Sequence, residues 1–390
     1  MGVRGHSVDA VVVGAGVVGA ACAYYATRAG LSVAVVDQGG PAGGTTGAGE
    51  GNLLVSDKEP GPELDLALLS ARLWRDLADA LPDGPRGIEY EAKGGLVVAA
   101  DSAELAALHR LVADQARAGV ETRDVTADRL PDLEPHLARG LAGGVHYPQD
   151  AQVQPALAAA RLLRAAREAG ARLHFGEAVT DILTGPDGAI RAVRTPRRDV
   201  PAPAVVNATG VRGGDLARLA GARLPVLPRR GFVLVTEPLP QLVRHKVYAA
   251  GYVADVASGS AALQTSPVVE STPSGPVLIG ASRERVGFDR TLSAEVLRRL
   301  AMAAVALFPV LARTAVIRTY CGFRPYLPDH LPAIGPDPAV PGLYHACGHE
   351  GAGIGLAPAT GLLVAQALTG TTPATDLAPF RPERFTKEGK

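Results

Sequence analysis

Apolar runs and helical stretches alternate from the start of the chain. Residues 9–13 form a short apolar run rich in β-branched side chains, and a helical pattern follows it through Ala29 and Gly30. A second apolar run, residues 31–36, ends at Asp37. Short apolar runs bounded by turn residues are typical of buried strands. The pattern therefore predicts a strand, a helix and a second strand, the opening unit of a doubly wound α/β sheet.

The turn between the first strand and the helix carries Gly14, Gly16 and Gly19 in G-x-G-x-x-G spacing. The first glycine permits the turn, the second lets the backbone approach a pyrophosphate, and the third lets the helix pack closely on the sheet. The helix N-terminus then faces the negative charge, and Asp37 can accept a hydrogen bond from a ribose hydroxyl. The unit predicts a dinucleotide site. It does not separate FAD from NAD, but Asp37 without a nearby arginine disfavours NADP.

Periodic segments farther along the chain predict a second sheet and its covering helices. Strand-like runs occupy residues 94–98, 232–235, 277–280 and 317–323. Helical spacing is found in residues 105–118 and 294–307, and in an apolar stretch at residues 356–368 that closes at Gly370.

Composition narrows the class of protein. A chain of 390 residues exceeds one compact core, so two domains sharing one cleft are expected. Apolar residues make up 47% and charged residues 20%, and 39 basic side chains balance 39 acidic ones, which argues against a disordered chain and a nucleic-acid-binding surface. The cysteines Cys22, Cys321 and Cys347 are too scattered for a disulfide framework or a zinc site, so we expect a reducing cytoplasm and no metal. Glycines, Arg28 and Asp37 interrupt the apolar N-terminal stretch, so no transmembrane segment is expected.

Two further glycine-rich segments distinguish the candidate cofactors. Residues 39–52 are too rich in glycine for an ordinary surface turn, and a flavin enzyme needs such a loop along the pyrophosphate and under the isoalloxazine ring. Thr45 and Thr46 could bind phosphate and Gly51 and Asn52 could lie beside the ring, with a flexible lid as the alternative. Residues 347–355 precede the C-terminal helix, whose positive end could stabilise negative charge on a reduced flavin.

Together these motifs resemble the D-amino acid oxidase and glycine oxidase family of FAD proteins over nearly the whole chain. The motifs are the N-terminal fingerprint with Asp37 and residues 45–52, 144–148, 205–210, 322–325 with Asp329, and 348–361. Residues 282–289 and 324–332 look most like the catalytic flavoprotein subunits of hydroxyproline, opine and proline dehydrogenases and of hydrogen cyanide synthase. Such subunits often pass electrons to partner subunits with another flavin or an iron-sulfur centre.

The resemblance implies an α/β fold with two discontinuous domains. A Rossmann-like FAD-binding domain of the glutathione-reductase type is expected from residues 1–84, 142–220 and 327–390. An α+β substrate domain with a mixed sheet is expected from residues 85–141 and 221–326. The residues expected to contact FAD are Gly14, Gly16, Val17, Val18, Gly19, Asp37, Gln38, Thr45, Thr46, Gly51, Asn52, Val179, Ala208, Gly210, Gly348, His349, Glu350, Gly351, Gly353 and Ile354.

The resemblance also assigns residues to the chemistry. Arg324 is expected to hold the substrate carboxylate, because a guanidinium makes two parallel charge-assisted hydrogen bonds to that group. Its alternative is a structural ion pair with Asp329. Tyr252 is expected to contact substrate, with Tyr248 on the same strand, although a half-buried strand pair explains both. His349 is expected beside the substrate or the ring, rather than as a general base.

One departure from glycine oxidase bears on the substrate. Gly351 stands where our alignment gives glycine oxidase a second arginine, and the smaller residue leaves room for a ring or an N-substituent. The expected reaction is oxidation of the C–N bond of a small amino acid or N-substituted amino acid, either proline-like, a D-amino acid or an opine. Hydride would leave Cα for flavin N5 and give an imine.

The sequence contains no motif that identifies the electron acceptor. Oxygen, a quinone or a redox partner subunit would each serve, and a quinone would bring the protein to the membrane periphery. A flavin-bearing electron-transfer subunit without its own substrate and an NAD-dependent dehydrogenase are the alternatives. The second of these leaves both additional glycine loops unexplained.

Overall fold

The computed structural model describes residues 7–252 and 260–385 of the chain. Its helices are α1 (Val17–Arg28), α2 (Pro62–Ala80), α3 (Ser102–Arg117), α4 (Leu130–Leu133), α5 (Pro155–Glu168), α6 (Gly213–Leu219), α7 (Ala294–Leu307) and α8 (Gly353–Thr369). Its strands are β1 (Ala10–Val13), β2 (Val33–Asp37), β3 (Asn52–Leu53), β4 (Gly95–Ala99), β5 (Arg123–Thr126), β6 (Gly143–Tyr147), β7 (Ala151–Gln152), β8 (Arg172–Phe175), β9 (Asp181–Thr184), β10 (Ile190–Arg194), β11 (Asp199–Pro201), β12 (Ala204–Asn207), β13 (Leu227–Pro238), β14 (Lys246–Ala249), β15 (Gln264–Ser271), β16 (Pro276–Arg283), β17 (Val316–Tyr326), β18 (Ala333–Pro336) and β19 (Leu343–Cys347).

Within the described residues, one sheet of six strands has the order β18-β19-β12-β1-β2-β8. β1 lies in its middle and pairs in parallel with β2 and β12, while β18 joins antiparallel to β19 at the edge. Val12 packs against α1, α5 and α8, whereas Val11 and Val13 pack on the other face near the β9–β11 sheet. Because both faces are covered, the strand is apolar at every position. This sheet confirms the strand-helix-strand prediction.

The second sheet has eight strands in the described residues, in the order β17-β13-β16-β15-β14-β4-β6-β5. It is mixed, since β14 and β4 run in parallel while β13 pairs antiparallel with β16 and β17. Phe232, Leu234 and Ile279 on one face pack against Leu300 and Leu307 of α7. The opposite face carries Gly322 and Gly280, against which the loop before β3 is packed.

The observed elements agree with the predicted fold class, an α/β chain with a Rossmann-like sheet and a mixed second sheet. The helix predicted at 356–368 spans Gly353–Thr369 and ends at Gly370, which has a φ of +69°. One boundary needs correction: the division at residue 142 assigns β6 to the nucleotide domain, but β6 pairs with β4 and β5 in the second sheet. Residues 1–6, 253–259 and 386–390 of the predicted domains lie outside the described residues.

Among the described helices, we find none with the length and apolar character needed to span a bilayer.

Candidate active site

The glycine turn after β1 forms a tight backbone cradle. Gly14 has a φ of +113°, and a Cβ at this position would lie 2.4 Å from the carbonyl oxygen of Ala208. A Cβ on Gly19 would lie 2.0 Å from the Gly14 carbonyl oxygen, so α1 packs directly on the turn. A side chain at either position is excluded by these distances. The cradle therefore has the backbone geometry that a pyrophosphate site at a helix N-terminus requires.

The two threonines of the predicted phosphate loop fix that loop to the cradle and to the second sheet. Thr46 is buried and its hydroxyl accepts a hydrogen bond of 3.0 Å from the backbone N–H of Val17, in the first turn of α1. Thr45 donates a hydrogen bond of 2.6 Å to the carbonyl oxygen of Phe323 in β17. Thr46 thus lies at the N-terminus of α1, the end of a helix that favours negative charge.

Other predicted FAD residues surround this cradle. The Asp37 carboxylate accepts hydrogen bonds of 2.7 Å from the backbone N–H groups of Ala15 and Gly39. Val179 packs against the cluster that contains Val13 and Val36. Two further predicted positions differ in exposure, since Val18 is half-buried and Gln38 is exposed. Gly210 follows β12 and has a φ of +57°.

The N-terminal and C-terminal glycine loops meet, although about 300 residues separate them in the sequence. A Cβ on Gly49 would lie 2.7 Å from the Cδ1 atom of Ile354, and a Cβ on Gly355 would lie 3.4 Å from the Asn52 carbonyl oxygen. Gly348, with a φ of +85°, starts the turn that leads into α8. Gly51 has a φ of +113° and closes the first loop before β3. The two loops therefore form one continuous wall.

His349 lies inside this wall. The imidazole is buried, and its Nε2 is 2.9 Å from the Thr360 hydroxyl oxygen. Burial lowers the pKa of His349 to about 3, so the ring is neutral at physiological pH. This geometry favours a role in holding the loop against α8, and a contact between His349 and substrate stays a prediction.

Glu350 is joined to a separate set of side chains. Its carboxylate forms an ion pair with the buried Arg229, and it lies 3.0 Å from Nδ1 of His330. Burial alone would raise the pKa of Glu350, but the hydrogen bond with His330 and the charge of Arg229 hold the pKa below its ordinary value. Gly353 follows in the first turn of α8, where its Cβ position is 3.2 Å from the Cβ atom of His349.

Arg324 extends from β17 across β13 towards β16. Its Nη1 donates a hydrogen bond of 2.7 Å to the carbonyl oxygen of Ser282. This path is open because position 231 is glycine, where a Cβ would lie 2.2 Å from the Arg324 Nη1. The alternative ion pair with Asp329 is not formed, since Asp329 binds Arg384 instead. The guanidinium is therefore held over the sheet face without a carboxylate partner among the described side chains.

Tyr252 and Gly351 lie beside Arg324. The buried Tyr252 and Gly351 line one cleft together with Asn52, between α2 and the start of α8. A Cβ on Gly351 would be 3.6 Å from the Arg324 Nε. The strand predicted through Tyr252 ends at Ala249, because β14 pairs with its neighbours only over Lys246–Ala249, and Val253 lies outside the described residues.

The Tyr248 and Tyr252 rings nevertheless pack edge to face with centroids 5.0 Å apart. The Tyr248 hydroxyl donates a hydrogen bond of 2.5 Å to Ser56, which in turn donates to the buried Asp150. The Tyr248 hydroxyl is thus part of a buried hydrogen-bond network, whereas Tyr252 lines the cleft.

The sequence-based prediction missed two charged residues at this site. Arg283 ends β16, is only 5% exposed, and its guanidinium carbon lies 5.1 Å from the Tyr252 ring centroid. Glu50 follows the two threonines in the first glycine loop. Its carboxylate packs on the backbone of Gly280, where an added Cβ would be 2.3 Å from the Glu50 Oε1. The signal for Glu50 was an acidic residue inside a glycine-rich cofactor loop. The signal for Arg283 was its place in residues 282–289, a segment that carries the family resemblance.

Glu50 lies among several charges. Its Oε1 is buried and has no hydrogen-bond partner among the described residues, while Lys246 nearby pairs with Glu270 at 2.6 Å and also contacts Asn52. Burial and the charge of Glu270 raise the pKa of Glu50 to about 7, against the opposing effect of Lys246. Burial followed by repulsion from Arg283 lowers the pKa of Arg324. The site therefore combines two arginines with a carboxyl group that titrates near neutrality.

The chain is similar to known proteins over nearly its whole length. The family model described as "FAD dependent oxidoreductase" (DAO) matches residues 9–367. The hydrogen cyanide synthase subunit HcnC of Pseudomonas aeruginosa is 30% identical, with 97% of each chain covered. The glycine oxidase of Geobacillus kaustophilus is 32% identical over 96% of each chain, and its crystal structure superimposes with a TM-score of 0.86 over 96% of this chain and 98% of that one.

A third similarity is to a solved structure with a different substrate in its name. The iminodiacetate oxidase of Chelativorans sp. BNC1 is 28% identical with a TM-score of 0.81, covering 96% of this chain and 98% of that chain. The family match covers both sheets and both glycine loops, and the backbone cradle at Gly14 and Gly19 fits a dinucleotide. FAD is the cofactor, and the nicotinamide alternative is not supported. The chain belongs to the DAO family of FAD-dependent oxidoreductases.

Proposed function

We propose that this flavoenzyme oxidises the C–N bond of a small amino acid or N-substituted amino acid, of the proline-like, D-amino acid or opine kind. The observation that carries the proposal is Arg324, a guanidinium without a carboxylate partner among the described side chains, beside Tyr252 and the open Gly351. A guanidinium held in this way is suited to bind a planar carboxylate through two hydrogen bonds. The names of the glycine oxidase and iminodiacetate oxidase relatives support the same class of donor.

The residues of the chain would act mainly by binding and positioning. Arg324 binds the carboxylate and so fixes the orientation of the Cα–H bond, with one face of the site closed by the Tyr252 ring. Gly351 leaves space beside the Arg324 Nε for a ring or an N-substituent. Bound FAD supplies the two-electron acceptor, at N5, for the hydride that leaves Cα. The amine proton leaves to solvent, the C=N bond forms, and the imine hydrolyses in water.

The first test is the visible spectrum of the purified protein under anaerobic conditions. It is recorded before and after addition of D-proline, cis-4-hydroxy-D-proline, L-proline, sarcosine, glycine and an opine, each alone. Bleaching of the flavin band by one compound supports the proposal and identifies the substrate class. A yellow protein that none of them bleaches would favour an electron-transfer subunit without its own substrate.

An Arg324→Ala variant tests the carboxylate assignment. Removing one partner of a charge-assisted pair costs about 2–5 kcal/mol, so kcat/KM should fall by at least about 30-fold. Arg318→Ala is the matched control, because Arg318 lies exposed on the same strand and should leave kcat/KM unchanged. Unaltered turnover and KM in Arg324→Ala would refute the assignment.

Several broader expectations belong to the same proposal. HcnC is named as a subunit, which supports a partner subunit as electron acceptor, with a quinone or oxygen as alternatives. Oxygen uptake and reduction of an artificial quinone, measured with the same substrate, distinguish them. The three cysteines are free, which supports a reducing cytoplasm, with peripheral membrane contact only through a quinone. The two-domain division, with β6 moved to the substrate domain, is part of the proposal.

A further inference from the structure

Arg283 is a buried cation at the end of β16. The residue is 5% exposed, and its guanidinium lies against the Tyr252 ring, 5.1 Å from the centroid. Within residues 7–252 and 260–385, the Arg283 guanidinium makes neither an ion pair nor a hydrogen bond. Buried charges are normally paired, because desolvating an unpaired cation is unfavourable. A cation–π contact with one ring compensates only part of that desolvation.

Arg283 and Arg324 converge on the same region from two strands. The Arg324 guanidinium donates to the carbonyl oxygen of Ser282, the residue that immediately precedes Arg283. Gly231, on the strand between them, makes this approach possible by having no Cβ. The two cations repel each other, which contributes with burial to the lowered pKa of Arg324. Two adjacent guanidinium groups of this kind form a site for anions.

The other cations near the two arginines are paired with carboxylates, whereas the described residues give Arg283 and Arg324 no carboxylate partner. The other cations lining this region are in ion pairs: Lys246 with Glu270, Lys58 with Asp57, and Arg229 with Glu350. Glu50 is a carboxyl group on which both arginines act, and among positive charges Lys246 affects its pKa more than Arg324 or Arg283 does. Neither arginine forms an ion pair with a described side chain, so neither charge is neutralised by a direct contact within that part of the chain.

We propose that Arg283 binds a second substrate carboxylate, so that the substrate is a secondary amine carrying two carboxylates, of the iminodiacetate or opine class. This inference rests on the proposed function. Arg324 holds the carboxylate next to the carbon that is oxidised, and Arg283 holds the carboxylate of the N-substituent. The open position at Gly351 accommodates the added group. A monocarboxylate such as sarcosine would leave the Arg283 charge unmatched.

The test uses ligands that cannot be oxidised. Glutarate has the shape of iminodiacetate with a methylene group in place of the amine, and butyrate has the shape of sarcosine altered in the same way. Each is titrated into the holoenzyme, and its dissociation constant is read from the change in flavin absorbance. The wild type should bind glutarate at least about ten-fold more tightly than butyrate.

Substitutions then assign this preference to a residue. Arg283→Met, which keeps most of the side-chain volume, should abolish the preference and change butyrate affinity by less than about three-fold. Arg283→Lys should keep part of the preference, because it keeps the charge without the planar fork. Arg324→Met should weaken both ligands, and Arg318→Met, at an exposed position on the same strand as Arg324, should change neither. The FAD content and melting temperature of each variant establish that it is folded.

Two results would overturn the inference: equal affinities of the wild type for glutarate and butyrate, or equal weakening of both ligands in Arg283→Met. The second result would mean that both arginines hold a single carboxylate. Failure of the proposed function gives a different pattern, in which glutarate is preferred but neither iminodiacetate nor any other amine bleaches the flavin. Rapid oxidation of sarcosine without a glutarate preference would retain the function and reject the second subsite.

Discussion

Replacing Glu50 with glutamine should stabilise the protein strongly at pH 8 and by less than about 1 kcal/mol at pH 5. Glu50 is 8% exposed, and its buried Oε1 has no hydrogen-bond partner among the described residues. The glutamine side chain has nearly the same shape as glutamate and carries no charge. The substitution therefore removes the unfavourable ionisation of a buried carboxyl group while keeping its packing against Gly280.

The size of the effect follows from the pKa. Burial and Glu270 raise the pKa of Glu50 from the ordinary value of 4.5 to about 7. Between these two values the folded protein holds a proton that the unfolded chain has lost, so the free energy of unfolding falls as the pH rises. Each pH unit in this window is worth about 1.4 kcal/mol, which gives a total of about 3 kcal/mol. Below pH 4.5 Glu50 is protonated in both the folded and the unfolded protein, so its ionisation no longer lowers the free energy of unfolding.

Urea unfolding of the holoenzyme, followed by tryptophan fluorescence at saturating FAD between pH 5 and 8, measures this difference. The difference in unfolding free energy between Glu50→Gln and wild type should grow to about 3 kcal/mol at pH 8. Glu121→Gln, at an exposed position, serves as the control and should follow the wild type at every pH. A pH-independent difference for Glu50→Gln, or destabilisation at pH 8, would refute the argument that ionisation of the buried Glu50 destabilises the folded protein.

Three other substitutions test separate parts of the site. Gly280→Ala would place a Cβ 2.3 Å from the Glu50 Oε1, so it should destabilise the protein by about 1–3 kcal/mol in urea unfolding and displace Glu50, removing its pH signature. Gly14→Ala should lower the flavin absorbance per protein after purification, because the position has a φ of +113° and faces the Ala208 carbonyl oxygen; retained FAD would contradict the cradle. Asp329→Asn should cost less than about 1 kcal/mol and leave KM unchanged, since its partner Arg384 is partly exposed; a large increase in KM would restore Asp329 as a partner of Arg324.

Local patterns carried most of the fold prediction. The strand, glycine turn and helix at residues 9–30 depend on contacts between near neighbours, so β1 and α1 were predicted within a few residues of their observed ends. The C-terminal helix was similarly clear because an apolar stretch runs up to Gly370. The assignment of β6 failed because strand order depends on pairing with β4 and β5, which no local pattern records.

The same limit explains what the sequence did and did not reveal about the candidate site. Arg324 could be assigned from a motif, but its direction depends on a glycine in another strand, and Tyr252 was placed on a strand that ends at Ala249. Arg283 and Glu50 lie in segments that carry the family resemblance, but the sequence does not show what their side chains face. Their relevance appears only when β16, β17 and the first glycine loop are brought together in space.

The glycines of the second sheet determine how these groups meet. Gly322, Gly231 and Gly280 lie on the neighbouring strands β17, β13 and β16. The space that a side chain would fill is occupied by Ala48 at Gly322, by the Arg324 guanidinium at Gly231 and by the Glu50 carboxylate at Gly280. The cofactor loop and the arginine can therefore lie directly on the backbone of the sheet. Close packing leaves no room for a methyl group at these three positions. A substitution there would therefore also displace the charged groups that pack against the glycines. A change of substrate class in a related chain should therefore involve Arg283, and Gly351 at the cleft, rather than these three glycines.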